Sequence, residues 1–491
     1  MKKVFSLIAA FVLTFTLAGC QPAVPVNQLY QQKANWTLCE NNTFQCATIK
    51  VPLDWNKPSG PTIDLALVRK FVNHAVGSVV INPGGPGGSG YDFLVNNYTD
   101  IGTQQLRDAY TYVSFDPRGV SRSAKVTCLD AAGTDHLLYD SNNAVPGSAQ
   151  DISLMRAELK KFDAACKANT GPVLGHVDTV SAAKDMDVIR AVLGEKKLTY
   201  LGFSYGTFLG TTYAALFPQN VGRFVLDGAI DPRVSDEQQS VNQLAGFNLA
   251  LNDYLKDCIA NQSDCPFHGS LQSAQAAVKS FLISMESKTL KTTDGRKLTI
   301  AGASTGLLMA LYSNSYWPYL TQAFNDAEKK NDGTMFIRLA DFYNNRDQNG
   351  KYTGNELEAN IAVNCLDSRS SSAPEAMAAQ NERILKASPI LGRYWLNGAL
   401  SCEQWPYPVA KRPVSYAAKG APTIMVIGTT GDPATPYQQA VGLAHEVFAK
   451  GFLVTYKGEG HTAYGRSNIC VSNAVDDFLI KGILPSSEPV C

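Results

Sequence analysis

Six short runs of strand-forming residues each break off at a glycine, a proline, an aspartate or a serine. That punctuation constrains the fold more than any other feature of the chain. Residues 78–82 (SVVIN) stop at Pro83 and a cluster of glycines, and residues 110–115 (YTYVSF) stop at Asp116-Pro117-Arg118-Gly119. Residues 198–203 (LTYLGF) run into Ser204, and residues 224–226 lie between Arg223 and Asp227. Far downstream, residues 423–427 (TIMVI) end at Gly428 and residues 451–456 end at Lys457-Gly458. Helical patterns separate some of these runs, as at 182–193 ahead of LTYLGF. Near-continuous apolar strands alternating with helices predict an α/β fold with a mostly parallel central sheet.

The pattern lapses between about 236 and 409. Val241, Leu244, Phe247, Leu251, Tyr254 and Leu255 recur at helical spacing, and further helical stretches fall near 271–285, 305–329, 335–344 and 373–387. Asp294-Gly295, flanked by Leu290 and Leu298, predicts a hairpin. At 491 residues the chain has room for several domains or for one domain with an insertion. Because the strand pattern resumes after the gap, the second reading is preferred. It divides the chain into a leader at 1–19, a first core part at 30–235, a helical cap at 236–409 and a second core part at 410–491.

Candidate reactive residues sit where strands end. Gly202-Phe203-Ser204-Tyr205-Gly206 follows one predicted strand and precedes a helical stretch. That context lifts a serine hydroxyl above the sheet on a strained turn, with small residues letting strand and helix approach. A hydroxyl is a weak nucleophile at neutral pH and needs a base. Of the six histidines, His461 in Gly458-Glu459-Gly460-His461 follows the last strand, whereas His445 sits inside a helical run and reads as structural. The base in turn needs a carboxylate to hold its tautomer. Asp432, after strand TIMVI, is the first choice and Asp227, one strand after the serine, the rival. Glycines at Asn82-Pro83-Gly84-Gly85-Pro86-Gly87-Gly88-Ser89-Gly90 allow backbone N–H groups to approach a developing oxyanion. The N–H groups of Gly85 and Tyr205 are the candidate donors, with Gly84 as substitute for the first. The same loop spells G-x-G-x-x-G at Gly85, Gly87 and Gly90. Pro86 inside the turn, no clear helical pattern starting at the last glycine, and an exported chain argue against a dinucleotide site. No cofactor or metal is expected.

Lys2 and Lys3 precede an apolar stretch from 4 to 17, and then come Leu17-Ala18-Gly19-Cys20. This is a secretory pattern, and the cysteine after small residues resembles a bacterial lipobox, which implies acylation of Cys20. Gln21 stands where lipoproteins retained at the inner membrane typically carry Asp, which favours the outer membrane, facing the periplasm or the surface. The other ten cysteines form no C-x-x-C pair, and in an oxidising compartment they read as disulfides. Joining neighbours gives Cys39–Cys46, Cys128–Cys166, Cys258–Cys265, Cys365–Cys402 and Cys470–Cys491. Lys plus Arg and Asp plus Glu both number 43, so no net field draws in a nucleic acid. Contact with a membrane is expected through the N-terminal lipid alone, and nothing in the sequence specifies an oligomeric state.

Taken together, INPGGPGGSG, YVSFDPRGVSRS, LGFSYGTFLG, VLDGAIDP, TTGDPATP and GEGHTAYG resemble the secreted tripeptidyl aminopeptidase branch of the proline iminopeptidase family of α/β-hydrolases. The resemblance spans 30–235 and 410–491; the cap is similar only in position and helical character. The order Ser204, Asp432, His461 is that of these hydrolases. Proline iminopeptidases usually carry His before Gly-Gly-Pro-Gly. Pro83 stands there in this chain, which points to the tripeptidyl branch. The resemblance implies a serine exopeptidase acting on peptides with free N-termini. A substrate ammonium then needs buried carboxylates, since an unpaired buried charge is costly. Asp367 and Glu403, beside the expected Cys365–Cys402 bond, are the candidates. Tyr316, Trp317, Tyr319, Tyr394 and Trp395 are candidates for an apolar pocket. Two other functions compete: a carboxylesterase or other non-peptide hydrolase on the same fold, and an anchored binding lipoprotein with a relic site.

Overall fold

The runs of apolar residues become strands that pack on both faces. In the computed structural model, which describes residues 25–491, the strands are β1 (Thr37–Cys39), β2 (Phe44–Pro52), β3 (Thr62–Lys70), β4 (Ser78–Asn82), β5 (Thr111–Phe115), β6 (Leu198–Phe203), β7 (Val221–Asp227), β8 (Leu290–Lys291), β9 (Lys297–Leu298), β10 (Ile424–Gly431) and β11 (Gly451–Glu459). Nine of them form one sheet in the order β1-β2-β3-β5-β4-β6-β7-β10-β11. From β5 onward every neighbour is parallel, while β1, β2 and β3 form an antiparallel edge. The α/β class and the mostly parallel sheet are therefore as expected. The antiparallel edge was not anticipated, because its strands carry Lys50, Asp64 and Arg69 among their apolar residues.

Side chains alternate across the sheet, as period-2 geometry requires. Leu198 and Tyr200 of β6, with Ile424 and Val426 of β10, face one helical layer. Leu201 and Phe203, with Met425 and Ile427, face the other. A third apolar core belongs to the cap, built on the helices Asp236–Asn261, Leu271–Met285, Ile300–Leu311, Trp317–Lys330 and Thr334–Tyr343. The hairpin at Asp294-Gly295 forms with Leu290 opposite Leu298.

Three features of the cap differ from the sequence reading. The stretch 305–329 is two helices, broken between Leu311 and Trp317. Tyr139, from a helix (Ala131–Tyr139) assigned to the first core part, is buried in the cap's core. Its carbonyl accepts the Thr299 hydroxyl at 2.5 Å, and its neighbour Asp135 pairs with Arg346 at 2.7 Å. A further helix, Glu356–Asp367, lies against the glycine loop. Ala359, Ala362, Val363 and Leu366 are its buried apolar residues, at spacings of three, four and seven that mark a helix.

All five neighbour pairs of cysteines are bonded: Cys39–Cys46, Cys128–Cys166, Cys258–Cys265, Cys365–Cys402 and Cys470–Cys491. The leader and Cys20 lie outside the described residues, and no described helix is long and apolar enough to cross a membrane.

Candidate active site

Strand β6 ends at Phe203, and the chain turns so sharply into the helix Tyr205–Leu216 that Ser204 takes φ 55° and ψ −125°. A non-glycine residue in that region is strained, and it persists only where its surroundings hold it. Here the Ser204 N–H donates to the Asp227 carbonyl at 2.9 Å. The turn presents Ser204 to a cavity of about 500 Å3 whose lining also includes Gly85, Tyr312, Glu356 and His461.

His461 follows β11, and its Nδ1 lies 2.9 Å from both carboxylate oxygens of Asp432. Asp432 is fully engaged. Its Oδ1 accepts the N–H groups of Ala434 and Thr435 at 2.9 Å, and its Oδ2 accepts the Thr435 hydroxyl at 2.9 Å. Such a carboxylate orients the imidazole and stabilises its protonated form. The buried Nε2 of His461 has no hydrogen-bond partner among the described residues, and His461 lines the same cavity as Ser204. The rival Asp227 faces elsewhere. Its carboxylate accepts the N–H groups of Ala463 and Tyr464 at 2.9 and 2.7 Å, so it holds the loop that carries His461. Burial raises its pKa to about 6, against the pull of those two N–H groups. His445 sits outside, bonded to Glu488 at 2.9 Å.

Glycines bring the loop after β4 against the nucleophile. A Cβ on Gly84, whose φ is +104°, would stand 2.9 Å from that of Ser204. The Gly84 N–H is occupied, donating to Asn82 Oδ1 at 3.0 Å, which removes it as a substitute oxyanion donor. Among the described residues the Gly85 N–H donates to no protein acceptor, and Tyr205, first residue of its helix, has no intrahelical acceptor for its own. These are the two N–H groups that the sequence singles out. Asp116 pins the loop by accepting the Ser89 hydroxyl at 2.5 Å.

Under the cap a second cavity, of about 380 Å3, shares Gly85, Tyr312, Tyr343 and Asn360 with the first. Asp367 opens onto it and is only 6% exposed. Its carboxylate accepts the Thr179 N–H at 2.9 Å and the Thr179 hydroxyl at 2.5 Å. Burial drives its pKa up to about 7 despite those bonds. Glu403 is not with it, and the sequence expectation fails there. The disulfide fixes only the backbone near Cys402, and the Glu403 side chain turns away to Arg156 at 2.7 Å. Asp236 lines the cavity instead and accepts the Ser368 hydroxyl.

The aromatics divide. Trp395 lines the second cavity and Tyr316 the first. Trp317 is cap core, Tyr319 is half exposed and Tyr394 bonds Glu286 at 3.1 Å. Sequence reasoning missed Tyr312, whose carbonyl accepts the His461 N–H at 2.8 Å and whose ring meets the imidazole edge-on at 5.7 Å. It also missed Glu356 and Asn360, which the unforeseen helix supplies. Among the described residues, no group of three or more His, Cys, Asp or Glu is placed to hold a metal ion.

A parallel sheet with a strained serine at one strand end, and a carboxylate-bound histidine at another, belongs to a serine hydrolase of the α/β-hydrolase fold. Known proteins agree. The model of the TAP-like protein family matches residues 388–491. Serine protease Hip1 of Mycobacterium tuberculosis is 34% identical over 517 aligned residues, covering 100% of this chain and 98% of that protein. Carboxylesterase B of the same species is 35% identical over 488 residues, 96% of this chain and 92% of that one. Tripeptidyl aminopeptidase of Streptomyces lividans is 31% identical over 470 residues, 93% and 85% of the two chains. This chain belongs to the tripeptidyl-aminopeptidase-like family of α/β-hydrolases.

Proposed function

We propose that the protein is an exported, lipid-anchored serine exopeptidase that removes short peptides or single residues from free peptide N-termini. The observation that carries this reading is Asp367: a buried carboxylate, with no cationic side chain bonded to it among the described residues, on a cavity that also reaches Gly85 and Tyr205. Burial makes its ionised form costly, and a substrate ammonium offsets that cost by pairing with it. Asp236 on the same cavity adds a second negative group. Arg412 lines the same cavity; it donates to the Asp367 backbone carbonyl at 2.9 Å, and its charge pulls the carboxyl's pKa down against burial.

In this mechanism His461 Nε2 removes the Ser204 proton, and Ser204 Oγ attacks the peptide carbonyl. The resulting oxyanion is met by the N–H groups of Gly85 and Tyr205, each worth about 2.7–4 kcal/mol of barrier by analogy with such donors elsewhere. Asp432 stabilises the imidazolium, which then protonates the departing amine. Water, activated by the same histidine, releases the acyl group from Ser204. Acylation at Cys20, with the chain held at an outer membrane and facing the periplasm or the surface, completes the proposal and rests on the leader sequence alone.

The test is a panel of aminoacyl- and tripeptidyl-arylamides, each with a free or an acetylated N-terminus, run beside short acyl esters. Hydrolysis of arylamides with a strong preference for the free amine is expected. Turnover of esters alone would instead favour the carboxylesterase reading, which the 35% identity to a protein of that name supports. The relic-site alternative is set aside by family membership, and labelling of Ser204 by an organophosphonate checks this directly. Labelling of the intact chain with radioactive palmitate, abolished in Cys20→Ala, tests the anchor.

A further inference from the structure

Three helix ends meet beneath the cap. Asp367 is the last residue of the cap helix Glu356–Asp367, Thr179 the first of the core helix Thr179–Val192, and Tyr205 the first of the helix after the nucleophile. Their side chains form one buried chain of hydrogen bonds, with Thr179 Oγ1 2.5 Å from both Tyr205 Oη and Asp367 Oδ2. All three residues are less than a tenth exposed. Tyr205 is also the residue whose backbone N–H faces the oxyanion in the mechanism above.

We propose that Thr179 is a positioning residue that transmits occupancy of the Asp367 subsite to Tyr205, so that a bound substrate N-terminus orders the oxyanion hole. The inference rests on the reading of Asp367 as the ammonium site. It follows from proton counting. Thr179 Oγ1 carries a single hydrogen, as does Tyr205 Oη. Opposite an ionised Asp367 the Thr179 hydroxyl must donate to the carboxylate, which leaves its lone pairs to accept from Tyr205. Both hydroxyls are then committed in one direction, and the tyrosine ring is tied at its far end. When no substrate ammonium occupies the cavity and Asp367 carries a proton, that proton can be donated to Thr179. The chain then runs the other way, and the buried Tyr205 hydroxyl hydrogen loses its acceptor. A bound ammonium favours the ionised carboxylate and therefore the first arrangement. The position of Asp367 at the N-terminus of the Thr179–Val192 helix favours the same charge state.

The decisive comparison uses Thr179→Val, which keeps the side-chain shape and the Thr179 N–H but removes the hydroxyl. Its substrates are a free tripeptidyl-arylamide, the acetylated form, and p-nitrophenyl butyrate, an ester with no ammonium. We expect kcat on the free peptide to fall about 10- to 100-fold, as for a misaligned catalytic group, with KM and ester turnover within about twofold of wild type. Thr179→Ser should restore kcat. Tyr205→Phe should lower kcat on the free peptide by a similar factor, and the Thr179→Val/Tyr205→Phe double variant should be no worse than either single one. An equal loss on peptide and ester, additive single effects, or no loss in Thr179→Val would each overturn the coupling. Asp367→Asn separates the two ideas. If it removes the preference for the free amine while Thr179→Val leaves kcat intact, the subsite stands and the coupling falls. If Asp367→Asn leaves the preference intact, both fall. Should Thr179→Val fail to fold, Thr179→Ala, with the same three substrates, decides instead: a loss confined to free-peptide kcat supports the coupling, and any other pattern overturns it.

Discussion

Asp163, on the helix Ala149–Thr170, is 4% exposed, and neither of its carboxylate oxygens has a hydrogen-bond partner among the described residues. Burial raises its pKa to about 6, with the charge of Arg369 pulling the other way. Because the folded value lies above the unfolded one, folding retains a proton that the unfolded chain has released. Stability from this group is full below the ordinary carboxylate range and is lost as pH rises through about 6. Asp163→Asn should therefore flatten the fall in urea midpoint between pH 4 and pH 7 and leave the protein more stable than wild type at pH 7. Chemical denaturation across that range checks it. At the reacting residues, Ser204→Ala should lower kcat by on the order of a millionfold with the thermal midpoint unchanged, and Asp432→Asn by about four orders of magnitude. Burst and steady-state assays on a free tripeptidyl-arylamide read both. An Asp227→Asn variant differs in kind: it weakens the loop behind His461, so its losses in activity and in thermal midpoint should move together.

Elements hold these residues in place through a few buried polar ties. The loop after β5 sends Arg118 inward, where it pairs with Asp185 at 2.6 Å and donates to the carbonyls of Pro52, Leu53 and His176. Both side chains are at most 1% exposed. The string around Asp116 and Arg118 is thus a fastening: Asp116 pins the glycine loop, and Arg118 ties the antiparallel edge to the core helix. Asp185→Asn leaves the guanidinium buried without its counter-charge and should destabilise by about 3–5 kcal/mol, read as a shift in denaturant midpoint. The glycine loop also touches the cap. A Cβ on Gly87 would come within 2.6 Å of the Glu356 carbonyl and 3.0 Å of the Asn360 N–H nitrogen, and φ there is +98°. Gly87→Ala should push the helix Glu356–Asp367 off the loop and lower kcat/KM on peptides by about 10- to 100-fold through misplacement of the oxyanion donor. A steady-state assay, compared with the thermal midpoint, separates that from global unfolding.

Across the whole molecule, the cap and the core are joined around the two cavities. Tyr312 of the cap touches His461, Asn360 of the cap donates to the Pro86 carbonyl at 3.1 Å, and the Cys365–Cys402 bond closes a segment that leads back toward β10. Cys365→Ala with Cys402→Ala should cost about 2–4 kcal/mol by loosening the unfolded chain, and calorimetry with and without reductant measures it. Much of this was legible beforehand. SVVIN and LTYLGF became β4 and β6 at the residues read from the sequence, since buried parallel strands are written as uninterrupted apolar runs. Ser204, His461 and Asp432 were legible because each follows a strand end, where turn residues are conspicuous. The edge strands β2 and β3 were not, because half-exposed strands mix charges into their pattern. Nor was the helix Glu356–Asp367, whose alanines carry a weak apolar signal.

Local chemistry alone determined the strained elbow, the glycine loop and the strands that lead into them, since each depends on residues close together in the chain. Only the tertiary structure decided which carboxylates share a cavity. Asp367 points inward and Glu403 outward from the same disulfide, and Thr179 comes to lie between Asp367 and Tyr205. Those outcomes depend on where helix ends from distant parts of the chain converge, and long-range packing is what no local pattern encodes.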